Sequence, residues 1–390
     1  VPPDVSPLRR PVEAGAAWFN GFRARGAVEC VDVAAEPERV AAGGFWAVVG
    51  DFEGPVRAWR FADVHRASGP EAPGAAADRS PASSAPQGWH GPAPSSWSTS
   101  LDRAAYVDAV EVVRQEIRAG RVYQANICRI LVAPCPGAGA AGEPDAQGLA
   151  TVLAAGNPAP YAGGVHVPAS SGLPPTWVVT ASPELFLRLD GDLLTSAPIK
   201  GTATTAAGLQ GKDRAENVMI TDLVRNDLQR VCTPGTVEVS SLLAVERHPG
   251  LYHLVSTVQG RLTPAVFGAP HRWAQILAAT YPPGSVSGAP KSSALRLIGE
   301  RERVPRGPYC GVVGWIDADA GRAELAVGIR TFWWTADGDA VPDALPGAAR
   351  AGALHFGTGA GITWGSDSEA EWAETELKAS VLIALASTSR

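Results

Sequence analysis

Lys200, in Pro198-Ile199-Lys200-Gly201-Thr202, follows the apolar segment Leu193-Leu194 and opens onto a loop rich in Gly, Thr and Ala. A lysine between a strand and a flexible loop can project into a cleft. Its amine becomes a nucleophile when desolvation or a nearby cation lowers its pKa from about 10.4. The plainer alternative is a solvated surface lysine. What decides between them is the company this lysine keeps.

Two acidic pairs stand out. Asp213 and Glu216 are spaced i, i+3 on one expected helix, and Glu371 and Glu374 share that spacing on another. Each pair therefore projects from one helical face. Carboxylates converging between two helices would suit a hard divalent cation. Mg²⁺ takes one or two direct carboxylates and keeps several waters. Either pair alone also fits a solvated helix face. Lys378, one turn beyond Glu374, is a helical ion-pair partner or an anion-binding cation.

Gly-rich turns offer backbone N–H groups to an anion. Gly284-Ser285 and Gly288-Ala289-Pro290-Lys291 precede a helix, and Gly357-Thr358-Gly359-Ala360-Gly361 lies inside a strand run. Neither stretch has P-loop spacing. Arg330 reads as a charge within an apolar strand, which requires an anionic partner from protein or ligand. His253, in Leu251-Tyr252-His253-Leu254-Val255-Ser256, reads as a satisfied core histidine before it reads as an acid–base group. Glu184, in Ser182-Pro183-Glu184, is either a surface carboxylate or a desolvated general acid.

The elements that must hold these groups come in uneven runs. Short apolar segments such as Phe45 to Val49 mark β-strands in an N-terminal portion, residues 1–99. From Arg66 to Ser98 the composition of Pro, Ala, Ser and Gly indicates a flexible linker. Tyr106, Val110, Val113 and Ile117 recur at helical spacing, with Ser100 as the expected N-cap and Gly120 as the stop. Strands are expected over 122–132, 177–180, 185–189, 193–199, 237–239, 251–258, 310–317, 323–334 and 353–363. Helices are expected over 212–231, 272–279, 292–302 and 371–386. Without βαβ alternation, this predicts an α+β fold with largely antiparallel sheets.

Composition excludes several classes. The 390 residues carry a net charge of −6 and no Lys/Arg run, which gives nucleic acid or an anionic membrane no electrostatic support. Five cysteines are scattered singly with no CxxC pair, which favours a reducing cytoplasm and argues against a zinc site. The start, Val1-Pro2-Pro3-Asp4, lacks a signal-peptide pattern. The charge-free stretch 146–183 is broken by prolines and is no membrane helix.

In order, the segments resemble the chorismate-utilising enzymes: anthranilate synthase, aminodeoxychorismate synthase and isochorismate synthase. They begin with Tyr123-Gln124-Ala125-Asn126, Asn157-Pro158-Ala159-Pro160-Tyr161, Ser182-Pro183-Glu184-Leu185-Phe186 and Pro198-Ile199-Lys200-Gly201-Thr202. Lys212-Asp213-Arg214-Ala215-Glu216-Asn217, Asp222-Leu223-Val224-Arg225-Asn226-Asp227 and His253-Leu254-Val255-Ser256 follow. Gly284 to Lys291, Ile329-Arg330-Thr331 and Glu371-Trp372-Ala373-Glu374 complete the set. The match runs from about Ser100 to the C-terminus. It implies a two-layer sandwich of antiparallel sheets with helices outside, and a chorismate-binding catalytic domain over 100–390.

Two positions divide the chemistries of this family. Isochorismate-type members carry a water-activating lysine where this chain has Gln124. Anthranilate synthases carry a small residue where this chain has Lys200, and lysine there marks the aminodeoxychorismate synthases. The resemblance implies that the Lys200 amine attacks ring carbon 2 of chorismate and expels the 4-hydroxyl. Ammonia then adds at carbon 4 and displaces the lysine, leaving 4-amino-4-deoxychorismate. Glu184 is the implied acid–base partner of Lys200, and His253 lies near the leaving hydroxyl. Glu216 and Glu374 are the implied direct Mg²⁺ ligands, with Asp213 and Glu371 acting through water. Gly284, Ser285, Tyr309, Arg330, Gly361 and Lys378 match positions that hold the substrate carboxylates.

The loop after Lys200 reads Gly201-Thr202-Ala203, where relatives carry an arginine, and the N-terminal part shows no tryptophan-binding signature. No cysteine lies in the Gly-flanked elbow of a glutaminase. A separate glutamine amidotransferase subunit is therefore expected to supply ammonia. A downstream lyase would release 4-aminobenzoate for folate or secondary metabolism. The alternatives are anthranilate synthase component I and a non-catalytic chorismate-binding subunit. A metal-dependent hydrolase would lack the usual His ligands.

Overall fold

A computed structural model describes residues 15–66, 88–137, 142–203, 205–209, 211–248, 251–336 and 352–388. The N-terminal strands are β1 (Ala16–Phe19), β2 (Phe22–Asp32), β3 (Phe45–Gly50) and β4 (Val56–Arg66), with helix α1 (Pro37–Ala41) between β2 and β3. Every residue of β3 is buried, as its unbroken apolar run requires. The short β5 (Ser98–Thr99) leads to α2 (Arg103–Arg118), β6 (Gln124–Pro134), α3 (Ala146–Gly156), β7 (Tyr161–Val167), β8 (Thr176–Ser182), β9 (Leu185–Asp190), β10 (Leu193–Ala197) and β11 (Ile199–Ala203).

Helix α4 (Gly211–Gln229) opens the second half, followed by β12 (Glu238–His248), β13 (Leu251–Arg261), α5 (Pro264–Phe267) and α6 (Arg272–Thr280). After a 3₁₀ turn at Gly284–Val286 come β14 (Gly288–Ala289), α7 (Lys291–Arg301), β15 (Val312–Asp317), β16 (Arg322–Val327), β17 (Thr331–Thr335), β18 (Ala353–Ile362) and α8 (Ser368–Ala386). The expected α+β class holds.

All strand pairs are antiparallel. Traced through its hydrogen bonds, the sheet begins with the short β5 and β14 alongside β6 and passes through β18, β17, β8, β7, β1, β2 and β4. It continues through β3, β15, β16, β9, β10 and β13 to β12. β11 takes over from β10 along β13. The ribbon folds over itself, so β7 lies against β3 and β15 as a facing layer. The main core fills the space between these layers, with Trp46, Trp59 and Val48 beside Val165, Val178 and Val313. A second cluster under α3 and α8 gathers Trp89, Leu149, Trp177, Phe332 and Leu382. Burying each such side chain contributes about 1.5–3 kcal/mol.

Several local expectations are corrected. Asp102, not Ser100, caps α2, with its carboxylate accepting from Ala105 N at 2.8 Å. The Ser100 hydroxyl is taken by Ile130 N at 2.9 Å. The single strand expected over 323–334 is split into β16 and β17. Arg330 sits at the break with φ 52°, outside the strand conformation. Of the linker expected over 66–98, residues 67–87 lie outside the described residues. The remainder is packed: Trp89 is 1% exposed, and its indole N–H donates to Ala386 O at 2.8 Å. Strands of the first hundred residues pair with β7 and β15, so they share one sheet with the rest of the chain.

Candidate active site

The ends of the strand order meet at Lys200. β11 presents this lysine from one end, and α4 packs across β11 and β13. Gly201 has φ +88°, and a Cβ there would lie 2.7 Å from Asp213 Cβ. Only glycine permits both the left-handed backbone and this close approach of strand to helix. From the other end, β6 begins at Gln124 and pairs with β18, where Gly361 faces Asn126. A Cβ on Gly361 would lie 2.4 Å from Gln124 Nε2 and 3.3 Å from Lys200 Nζ. Glycine at 361 thus makes the room in which amide and amine stand together. Gln124 Oε1 is buried and has no hydrogen-bond partner among the described residues.

Glu184 is carried by the tight turn between β8 and β9. It is 4% exposed. Burial pushes its carboxyl up to about 7, opposed by hydrogen bonding with Ser285, the Lys200 charge and the Ile199 N–H. Lys200 is only partly covered. Desolvation lowers its pKa from the ordinary lysine value; Glu216, Glu184 and Glu374 oppose the fall, and Lys378 adds to it. An amine with a lowered pKa beside a carboxylate with a raised one is a pair suited to proton exchange near neutral pH.

The acidic pairs reach the site from two helices. In α8, Glu371, Thr375, Ala379, Leu382 and Ala386 form the buried stripe, so Glu371 points inward. Glu374 stands at its shoulder, and its Oε1 is 2.6 Å from Lys378 Nζ. Lys378 also donates to Gly359 O at 3.1 Å. Glu216 projects from α4 toward Lys200. Among the described residues no group of three or more acidic, His or Cys side chains is gathered closely enough to hold a metal ion. The charges of Glu216 and Glu374 nonetheless both act on the Lys200 ammonium, and two carboxylates match the direct protein share of a Mg²⁺ site.

The other expected site residues are more dispersed. His253 is buried in β13, across from Thr202 in β11 and Glu246 in β12. Tyr309 is buried with its ring against Gly357 and its hydroxyl toward Cys128. Arg330 is partly covered between β16 and β17; desolvation lowers its pKa, and no carboxylate among the described residues offsets the shift. Such a cation is a ready seat for an anion.

Sequence reasoning passed over two groups that brace this site. Asn217, next to Glu216, donates from Nδ2 to Leu254 O at 2.9 Å, and its Oδ1 accepts from Ser256 Oγ at 2.5 Å. This ties α4 to the stretch of β13 that follows His253. Lys291 Nζ lies 2.7 Å from Asp227 Oδ2 and 3.0 Å from Thr280 O. Both residues stood in the quoted motifs, but nothing in their spacing revealed a pairing across the fold.

A family model described as chorismate binding enzyme matches residues 65–384. The chain belongs to this family of chorismate-binding enzymes. Anthranilate synthase component 1 of Haloarcula marismortui is 35% identical over 349 residues, 86% of this chain and 63% of that protein. Aminodeoxychorismate synthase component 1 of Salmonella typhimurium is 31% identical over 293 residues, 72% of this chain and 57% of that protein. The chain therefore spans less than two thirds of the length of these relatives.

Solved structures show the same fold. Anthranilate synthase component I from Streptococcus pneumoniae matches with a TM-score of 0.68 and 22% identity, over 97% of this chain and 94% of that one. The menaquinone-specific isochorismate synthase from Escherichia coli matches with a TM-score of 0.70 and 16% identity, over 97% and 89%. All five cysteines are free thiols. Among the described residues no helix is long and apolar enough to cross a membrane.

Proposed function

We propose that this chorismate-binding enzyme is an aminodeoxychorismate synthase component I, forming 4-amino-4-deoxychorismate from chorismate and ammonia. The observation that carries the reading is the Lys200 amine, held in the gap opened by Gly361 and faced by the Glu184 carboxylate. Ionised Glu184 takes a proton from the Lys200 ammonium. The neutral amine forms a bond to ring carbon 2 as both conjugated ring double bonds shift and the bond from carbon 4 to its hydroxyl breaks. Protonated on departure, the hydroxyl leaves as water, with His253 as the acid nearest its path. Ammonia then bonds to carbon 4, both double bonds shift back, and the bond from Lys200 to carbon 2 breaks. The sum is chorismate plus ammonia giving aminodeoxychorismate plus water.

The substrate is a dianion. Arg330, Lys378, the Ser285 hydroxyl and the N–H groups around Gly284 and Gly361 would hold its carboxylates, with Tyr309 supporting the strand beside them. Gln124 Oε1 offers a buried acceptor to a ring hydroxyl or to ammonia. Glu216 and Glu374 would hold Mg²⁺, with Asp213 and Glu371 behind them. Bound there, Mg²⁺ would neutralise the ring carboxylate as charge develops. Ammonia would come from a glutamine amidotransferase subunit, which the component 1 designation of the relatives supports. A lyase would act on the product, for folate or another aminobenzoate-derived compound, in the cytoplasm.

A second reading is anthranilate synthase component I, favoured by the relative of that name at 35% identity. Product analysis separates the two. The protein is incubated with chorismate, Mg²⁺ and excess ammonium at mildly alkaline pH and analysed by mass spectrometry. A product retaining the enolpyruvyl group and yielding 4-aminobenzoate with the lyase supports the first reading. Anthranilate with pyruvate would overturn it in favour of the second. No turnover, with or without a glutaminase, would leave a non-catalytic subunit.

A further inference from the structure

Glu184 and Ser285 border a second space besides the one shared with Lys200. It is a small interior cavity whose other polar borders are Ser196, Thr280 and Asp227. It leaves about 10 Å³ for the centre of a water molecule, room for a single one. Neither Lys200, Gln124 nor Gly361 borders it, so it opens from Glu184 apart from the amine. Gly284 forms part of its wall, and a Cβ on that glycine would lie 3.9 Å from Asp227 Oδ2.

We propose that one water in this cavity joins the Glu184 and Asp227 carboxylates, and that Asp227 receives the proton Glu184 has taken from Lys200. The inference rests on the acid–base role given to Glu184 above. The step balances. The Glu184 O–H bond breaks as the water oxygen takes that proton, and a water O–H bond breaks as Asp227 takes the other. Water is unchanged, Glu184 is again ionised, and Asp227 is neutral.

The surroundings fit such an exchange. Glu184 is faced by Lys200 and the Ile199 N–H of β11 and by Ser285. Asp227 is faced by Lys291 from α7 and by Arg230 beyond the end of α4. Burial raises both carboxyls, and the Lys291 and Arg230 charges oppose the rise at Asp227. The Lys291 bridge holds Asp227 in place at 2.7 Å. Both carboxylates and the hydroxyls give one water the partners it needs.

Asp227→Asn keeps an acceptor for Lys291 but takes up no proton. Chorismate consumption is followed across pH, whichever product forms. The acid limb set by Glu184 is expected to stay in place, because its carboxyl answers to burial, Ser285, Lys200 and the Ile199 N–H. Turnover is expected to fall about tenfold with an unchanged KM. Ser196→Val fills the cavity and leaves every titrating group, and should lower turnover similarly. Thermal melts confirm that both variants fold. The Glu184 midpoint is also read from ¹³C carboxyl shifts, with no substrate present, so failure here is distinguishable from failure of the aminodeoxychorismate reading. A folded Asp227→Asn protein with wild-type turnover overturns the relay, as does a folded Ser196→Val protein with wild-type turnover.

Discussion

Lys200 and Gly361 stand at opposite ends of the strand order, yet a Cβ on Gly361 would approach Lys200 Nζ to 3.3 Å. The sheet folds until its two ends share one small space, and the absence of a side chain at 361 keeps that space open. Gln124 fills its other side, with Nε2 2.4 Å from the same Cβ position.

Gly361→Ala should therefore push Gln124 out of place against Lys200. Displacing a reacting group by about 1 Å costs on the order of a hundredfold in rate. Turnover should fall by that order while the melting temperature stays near wild type. Wild-type turnover in the alanine variant would mean that the amine is not confined by Gly361.

Glu184 sets the acid limb of the pH profile. Its folded pKa of about 7 lies above the unfolded carboxylate value, so the folded protein binds the extra proton between the two. That contribution to stability is present below the unfolded pKa and is lost as pH rises through about 7. Activity moves the other way, because only ionised Glu184 accepts the Lys200 proton. Chorismate consumption should rise through pH 7, and Glu184→Gln should abolish that limb and lower turnover by about 10²–10⁴. An unchanged limb in the glutamine variant would remove Glu184 from the chemistry.

Much of this site was legible as chemistry before it was legible as geometry. The i, i+3 acidic pairs and the Gly-rich stretch of β18 were visible as patterns, and each lies on the element expected. Arg330 was misplaced because periodicity reads an apolar run as one strand; a left-handed residue inside it leaves no compositional trace. The Asp102 cap was missed because Ser100 is an equally good capping residue. What decided was Ile130 N, which takes the Ser100 hydroxyl from a distant strand. Trp89 was lost in a Pro/Ala/Ser background, although its burial against α8 is among the deepest in the molecule.

Among the described residues no carboxylate answers Arg330, so its partner should be the substrate. Arg330→Gln should raise KM for chorismate about tenfold to a hundredfold, as the loss of a hydrogen bond to a charged group costs about 1.5–3 kcal/mol. The turnover number should change less. An unchanged KM in steady-state assays would place the substrate carboxylates elsewhere.

Trp89 fastens the chain to the end of α8 through its indole N–H and fills the second core cluster. Trp89→Ala should cost about 3–5 kcal/mol. Urea titration reads this directly, and a loss below about 1 kcal/mol would be too small for a fully buried indole.

The most direct test of the account is Lys200→Ala, assayed with chorismate, Mg²⁺ and ammonium and with products resolved by mass spectrometry. The account requires aminodeoxychorismate formation to fall at least a hundredfold or so, because the nucleophile itself is gone. Aminodeoxychorismate formed at the wild-type rate by the folded alanine variant would contradict a covalent role for Lys200.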